Sequence, residues 1–444
     1  MWRLVGRDSL IFFASACSLV LLQFAYRYLS IRHLSVADYG RVALLLSIFN
    51  GATVIGSYGI PATVSRLSAR TQGVSRDRVL LRAASVAVIG PCAIAMAVMA
   101  VATYLVTTSP VDTAVSAVGV PPMIWAGLYS GFIRGKGMIW AAAAIQPANI
   151  VLQMLVLVLL TASGAHINAG LVLLSFYIGN FGAYAAALVY GRLAQQRAPV
   201  LSDEPDPEAT PRRILSFSAW LALANLAVLL LTILPRVSLA RFSYREVAIF
   251  DLALLVYTIP QRLRSSFLIA LLPVAAVERK RGALMTVPGN ADLLLVTVIF
   301  LALDGVLWST HALRVLFSSV GMSAYTGAEP LLLIILLAGP AELFFGLNSG
   351  FLQAFGESRR LFFVSAGVLL GSTALAPLTS VFGPTYLAGL LVAAYWALHF
   401  LSRHMLHRNH VEERSILLPA LLSWWRRWRS SSTAPLAATG DIDK

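Results

Sequence analysis

The segment R-Y-L-S-I-R-H-L-S-V-A-D-Y-G-R-V-A-L-L-L, residues 27–46, closes one apolar run and opens the next. About 210 residues later, the segment 236–255 reads R-V-S-L-A-R-F-S-Y-R-E-V-A-I-F-D-L-A-L-L. In both copies, two arginines five positions apart precede a Ser-x-x-acid sequence, which is the spacing of a capping box at a helix N-terminus. The recurrence predicts two related halves with the same helix–turn–helix at this position.

Composition places the chain in a membrane. Of its 444 residues, 58% are hydrophobic and 12% are charged, whereas soluble domains carry about 25% charged residues. Apolar runs of about 20 residues, each long enough to cross a bilayer as a helix, recur along the chain. We therefore predict an all-α polytopic membrane protein with about 12 transmembrane helices. The predicted spans are roughly 9–31, 40–62, 80–107, 113–133, 138–162, 167–191, 214–235, 246–273, 291–309, 329–348, 360–380 and 384–404.

A second repeated sequence supports two six-helix bundles. S-G-F-I-R-G-K-G at 130–137 follows the fourth span, and S-G-F-L-Q-A-F-G at 349–356 follows the tenth. Because each half has an even number of spans, the halves enter the membrane in the same sense, as a parallel pseudo-two-fold repeat with a site expected between them. The predicted domains are a first bundle (1–193), a polar, proline-rich cytoplasmic linker (194–211), a second bundle (212–408), and a cytoplasmic tail (409–444) with an amphipathic interfacial helix.

Basic residues predict the orientation. Arginine and lysine are frequent in the loops after spans two, four, six, eight and ten, so by the positive-inside rule both termini are expected in the cytoplasm. Among the outer loops, those after spans one and seven carry paired arginines, and both belong to the repeated arginine segment. Basic residues that oppose the insertion bias at the same place in each half indicate a functional use.

Ionisable side chains within spans are costly and are candidate functional groups. An arginine-rich cavity that is poor in acids attracts anions, and the planar guanidinium suits phosphate. The predicted substrate-binding residues are Arg27, Arg32, Arg41, Arg236, Arg241, Arg245, Arg262 and Arg264.

Three acids within the second half are candidates for ion coupling: Asp251, Asp304 and Glu342. The alignment of the repeats brings Asp251 near Arg41 and Arg245, so a structural ion pair is the alternative interpretation of this residue. Neither a cofactor nor a metal site is predicted, and Cys17 and Cys92 are expected to be small core residues.

The sequence resembles the polysaccharide (O-antigen type) flippases of the multidrug/oligosaccharidyl-lipid/polysaccharide (MOP) exporter superfamily. The resemblance is carried by L-S-x-x-D-Y-G at 34–40 and G-I-P-A-x-x-S-R at 59–66. It implies two six-helix bundles around a cationic cavity, in the bacterial cytoplasmic membrane. It also implies alternating access for polyprenyl-pyrophosphate-linked oligosaccharides, with polysaccharide polymerase and glycosyltransferases as partners and no role for nucleic acid. Several relatives have fourteen spans, whereas twelve are predicted here.

Three other functions are open to the sequence. A drug/cation antiporter of the same superfamily would need acids in its cavity, and the first six spans hold none beyond Asp8 at their boundary. A major-facilitator transporter would carry an acidic–basic signature after span two, which segment 66–82 lacks. A membrane glycosyltransferase or polymerase would need acids or bases in outer loops, yet the longest, about 310–328, offers only His311 and Arg314. A transporter rather than an enzyme is therefore expected.

Overall fold

The computed structural model describes residues 2–69, 73–196, 210–255, 257–258, 286–408 and 412–415. Helices account for nearly all of them. The first half contains α1 (Trp2–His33), α2 (Val36–Ser57), α3 (Ile60–Ser68), α4 (Val74–Thr107), α5 (Pro110–Gly135), α6 (Ile139–Ala162) and α7 (Ala169–Gln196). The second half contains α8 (Pro211–Ala240), α9 (described over 244–255), α10 (Asn290–Thr310), α11 (Ala312–Ser319), α12 (Ala328–Leu336), α13 (Gly339–Ala354), α14 (Ser358–Leu375) and α15 (Thr379–Arg408).

The predicted membrane fold is confirmed. In the described part of the chain, eight helical stretches are long and apolar enough to cross a membrane, or nine if the bent pair α12–α13 counts as one span. One of the eight is the 51-residue stretch Ser358–Arg408, which contains both the eleventh and the twelfth predicted spans. The bend of 45° between α12 and α13 divides the tenth predicted span. Broken helices of this kind are tolerated at membrane depth where protein satisfies the free backbone groups.

The buried apolar residues form two cores, one for each half. The first core is built from α1 to α7 and includes Phe49, Leu80 and Phe132. The second is built mainly from α8 to α15 and includes Phe250 and Phe351. Large apolar side chains on the outward faces of the helices are exposed, as expected where lipid replaces water. The molecule is therefore two helical bundles, as the sequence predicts.

Helix α2 belongs to both cores. Val42 and Leu45 pack into the first core, whereas Tyr39, Ala43 and Leu44 pack into the second. Close backbone contact between the halves depends on Gly40, because a Cβ atom there would overlap the Tyr244 carbonyl oxygen at the start of α9. We name the end of the molecule that carries the α1–α2 turn (34–35) and the α8–α9 turn (241–243) the paired-turn end.

The two repeated sequences fold alike. Two residues after the last residue of α5 and of α13 lies a glycine with a left-handed backbone, Gly137 (φ 77°) and Gly356 (φ 79°). Each glycine N–H donates to the carbonyl three residues before it, at 2.9 Å and 3.1 Å, and the next N–H donates to the carbonyl five residues before it. This is the glycine-terminated helix cap, and its presence at equivalent positions explains why the repeat retains glycine there.

The tail is described only over residues 412–415. Glu412–Arg414 form a short strand that pairs in parallel with Thr286–Pro288, and the predicted amphipathic helix stays a prediction. Ser415 adds a hydrogen bond of 2.9 Å from its hydroxyl to Asp292 Oδ1, which ties the tail to the first turn of α10. The remainder of the tail, most of the predicted linker, and Arg262 and Arg264 lie outside the described residues.

Candidate functional site

At the paired-turn end, one carboxylate joins the two bundles. Asp251 of α9 is fully buried and forms ion pairs with Arg27 of α1 and Arg236 of α8. The hydroxyl of Tyr39, on α2, donates to Asp251 Oδ2 at 2.9 Å. We name these four residues the Asp251 cluster. Two of its members come from each half of the chain.

Each oxygen of Asp251 is fully used. Oδ1 accepts from Nη2 and Nε of Arg236, at 2.6 Å and 3.0 Å. Oδ2 accepts from Tyr39 and pairs with Arg27. Arg27 Nη1 also donates to the Tyr39 hydroxyl at 3.0 Å, and Arg236 Nη1 donates to the Thr232 carbonyl at 3.0 Å. Burying a carboxylate is tolerated only with such complete pairing, since an unpaired buried charge costs several kcal/mol.

The two arginines are equivalent in sequence but not in their surroundings. Counted from the capping acids Asp38 and Glu246, the position that corresponds to Asp251 in the first copy is Ala43, so the cluster contains two arginines and a single acid. The cluster therefore carries one net positive charge. Arg236 shares a bundle with the acid, whereas Arg27 reaches it across the interface.

The aromatic surroundings close this end of the interface. The Tyr39 ring meets Tyr325 edge to face, with centroids 6.0 Å apart. Burial raises the pKa of the Tyr325 phenol, so this ring brings no charge to the cluster. The side chain of Arg41 lies over the Tyr244 ring at 5.2 Å, which is a second contact between the halves.

The other predicted basic residues take different positions. Arg32, Arg41, Arg241 and Arg245 are exposed at the paired-turn end and do not bind Asp251. Arg41 instead pairs with Asp38 at 3.1 Å, and the guanidinium of Arg32 lies over Tyr28 of its own helix. Asp251 is thus in an ion pair, but with Arg27 and Arg236 rather than with Arg41 and Arg245. The repeat alignment did not reveal which face of α9 turns toward α1.

The other acids lie elsewhere in the second half. Glu342 is fully buried in the first turn of α13, beside the bend that follows α12, and Asp304 is partly buried on α10.

Tyr39 was absent from the predicted site. The sequence did offer a signal for it: Tyr39 directly follows the capping acid Asp38, at the start of a strongly apolar helix in which a buried tyrosine needs a hydrogen-bond partner.

The N-cap bond of the predicted capping box is present in the first copy. Ser35 accepts from the Asp38 backbone N–H at 3.1 Å, and its hydroxyl donates to the Asp38 carboxylate at 2.7 Å. In the second copy, Ser243 accepts from the Arg245 N–H at 3.2 Å. These caps fix where α2 and α9 begin, and therefore the register that brings Tyr39 to Asp251.

Comparison with known proteins identifies a family for more than half of the chain. Residues 5–277 match the family model described as "Polysaccharide biosynthesis protein". No curated protein matches the chain significantly by sequence.

Solved structures show the same fold at low identity. A MOP superfamily transporter from Pyrococcus furiosus, described as having a binding pocket of reverse polarity, superposes with a TM-score of 0.65 at 13% identity, over 90% of this chain and 93% of that one. A MATE transporter of Vibrio cholerae gives a TM-score of 0.60 at 12% identity, over 92% and 96%. An inward-facing multidrug resistance MATE transporter gives 0.58 at 14%, over 97% and 100%. The predicted fold, that of the MOP superfamily transporters, is confirmed.

Proposed function

The chain belongs to the polysaccharide biosynthesis protein family, and we propose that it is a flippase for polyprenyl-pyrophosphate-linked oligosaccharides in the bacterial cytoplasmic membrane. The observation that carries the proposal is the Asp251 cluster. It sets two arginines at the interface of the bundles and, within the described residues, one acid that pairs with both. A pyrophosphate is the kind of ligand that such a pair of guanidiniums favours.

The geometry suggests how a substrate would act on the interface. Arg27 is 17% exposed and is held to the other bundle by Asp251. A pyrophosphate that reaches Arg27 provides an alternative anion, after which Asp251 keeps Arg236 as its partner. The ion pair between the halves is then broken and the Tyr39–Asp251 hydrogen bond remains, so the contact at this end is weakened and the bundles can rock apart there. In the expected orientation the paired-turn end faces outward.

The direction of transport also follows from charge. If the pyrophosphate moves outward with its negative charges, an inside-negative potential assists by roughly 2.3 kcal/mol per charge per 100 mV.

The polymerase and the glycosyltransferases of the same polysaccharide synthesis are the partners we propose.

Flipping in proteoliposomes tests the proposal. Purified protein is reconstituted into vesicles with a fluorescent polyprenyl-pyrophosphate disaccharide. A membrane-impermeant quencher then measures the fraction of the fluorescent lipid in the outer leaflet over time. Faster exchange than in protein-free vesicles is expected. The drug/cation antiporter, favoured by the fold of the MATE neighbours, predicts no exchange of the glycan lipid and proton- or sodium-driven efflux of a cationic dye instead. That pair of results would overturn the proposal.

A further inference from the structure

A cavity of about 870 Å³ lies at the paired-turn end of the first bundle, separate from the Asp251 cluster. Three turns meet around it, namely α1–α2, α4–α5 and α6–α7. Its volume is within the range of about 300–1,000 Å³ that is usual for small-molecule sites. The cavity borders solvent, because His33, Thr108, His166 and Asn168 on its wall are exposed.

The wall of this cavity is rich in hydrogen-bonding groups. Ser35 and residues 107–109 contribute four hydroxyls, Asn168 contributes an amide, and His33 and His166 contribute imidazoles. Aliphatic side chains, among them Leu45, form the rest. Most of these groups also bond within the chain, for example the Thr107 hydroxyl to the Thr103 carbonyl and Asn168 Oδ1 to the Leu171 N–H. A ligand with many hydroxyls can use the hydrogen-bonding capacity that remains, which a lipid tail cannot.

The two acids of the cavity differ in their availability. The carboxylate of Asp38 is bound by Arg41 and by the Ser35 hydroxyl. Asp112 uses its backbone N–H to cap α5 on Ser109, at 3.2 Å, but its carboxylate has no hydrogen bond or ion pair to any described residue. Arg41 is the arginine on this wall, and its charge is offset by its ion pair with Asp38. Asp112 is therefore a partly buried acceptor whose negative charge is not offset in this way, so it favours hydroxyl or ammonium donors and repels another carboxylate.

We infer that this cavity is a binding site for the glycan part of the substrate and that it takes neutral or amino sugars rather than acidic ones. The inference rests on the proposed function for its biological context. Hydroxyls of a sugar donate to Asp112 and Asn168, and the aliphatic wall contacts the C–H faces of the ring. Since the cavity lies on the outward side in the expected orientation, it receives the glycan as the substrate leaves the interface.

Binding of lipid-free sugars tests the site without depending on flipping. Ligand-observed NMR with purified protein compares a neutral disaccharide with the same molecule carrying a terminal uronic acid. The wild type is expected to bind the neutral sugar at least about fivefold more tightly, the effect of one like charge about 4 Å away in water. Asp112→Asn should remove most of this preference. Ala169→Phe, which fills the cavity from the start of α7, should abolish binding of both sugars.

A matched control is Glu246→Gln, which removes an acid at the same end of the second bundle and outside this cavity. It should bind both sugars as the wild type does. Absence of binding by the wild type, or binding that Ala169→Phe leaves unchanged, overturns the inference. Flipping is measured in a separate assay. Flipping without sugar binding would leave the proposed function and overturn this site, whereas sugar binding without flipping would leave the site and overturn the proposed function.

Discussion

Removing either arginine of the Asp251 cluster should move the conformational equilibrium, but in opposite directions. Arg27→Ala deletes the ion pair between the bundles and leaves Asp251 neutralised by Arg236 of its own half. Breaking a buried pair costs about 3–5 kcal/mol, and the lower value applies because one cation remains. A loss of about 3 kcal/mol from the closed interface raises the ratio of separated to closed molecules by roughly 100-fold.

Arg236→Ala has the reverse effect. Asp251 then depends on Arg27 alone, and separating the bundles would leave this fully buried carboxylate without a cation. The closed interface is therefore favoured further, by an energy of similar size, although the protein as a whole becomes less stable. Sequence equivalence of the two arginines would predict the same effect for both.

Distances between two spin labels, measured by pulsed electron paramagnetic resonance, distinguish these outcomes. Spin labels are placed at Ala37 and Phe242, which are exposed on opposite bundles beside the cluster, in protein lacking Cys17 and Cys92. In Arg27→Ala, a longer distance between the labels should appear, which corresponds to separated bundles. In Arg236→Ala, the distance distribution should become narrower around the shorter distance of the closed interface. Arg32→Ala, on the same helix but without a bond to the other bundle, should match the wild type. Equal shifts in the same direction for the two cluster variants would refute the reasoning.

Two further variants test packing. Gly40→Ala places a methyl group against the Tyr244 carbonyl, so the labelled distance should lengthen, whereas Gly51→Ala on the same helix meets only a flexible isoleucine tip and should not change it. Lys136→Ala removes the cation 2.7 Å from the fully buried Asp77. It should cost about 3 kcal/mol of stability, seen as a lower melting temperature in detergent, and an unchanged melting temperature would show that the pair contributes nothing.

Much of the fold follows from the sequence because hydrophobic run length fixes where membrane helices lie. The break between α12 and α13 did not follow, although Gly339-Pro340 marks it, because the apolar run continues through the bend. Run length also carries no information on the bending of a span, and such breaks depend on neighbouring helices that satisfy the free carbonyls.

The candidate site was predicted less completely. The paired arginines were identified from their recurrence, but their acid was assigned to Arg41 and Arg245. Sequence spacing gives neighbours along a helix, whereas the contact of Asp251 with Arg27 depends on how α9 is rotated and on how closely Gly40 allows the backbones to approach. Of the eight arginines predicted to bind the substrate, Arg27 and Arg236 meet at Asp251, four are exposed at the paired-turn end, and two lie outside the described residues, so their role in binding stays a prediction.

The central claim is that a pyrophosphate replaces Asp251 as the partner of Arg27 and thereby releases the bundles at the paired-turn end. The most direct test is the distance between labels at Ala37 and Phe242 in the otherwise unaltered cluster, during titration with a polyprenyl-pyrophosphate disaccharide. The account predicts growth of the longer distance with the pyrophosphate lipid and none with the same glycan on an uncharged lipid. A distribution that stays closed at saturating pyrophosphate lipid, in protein that flips it, would contradict the claim.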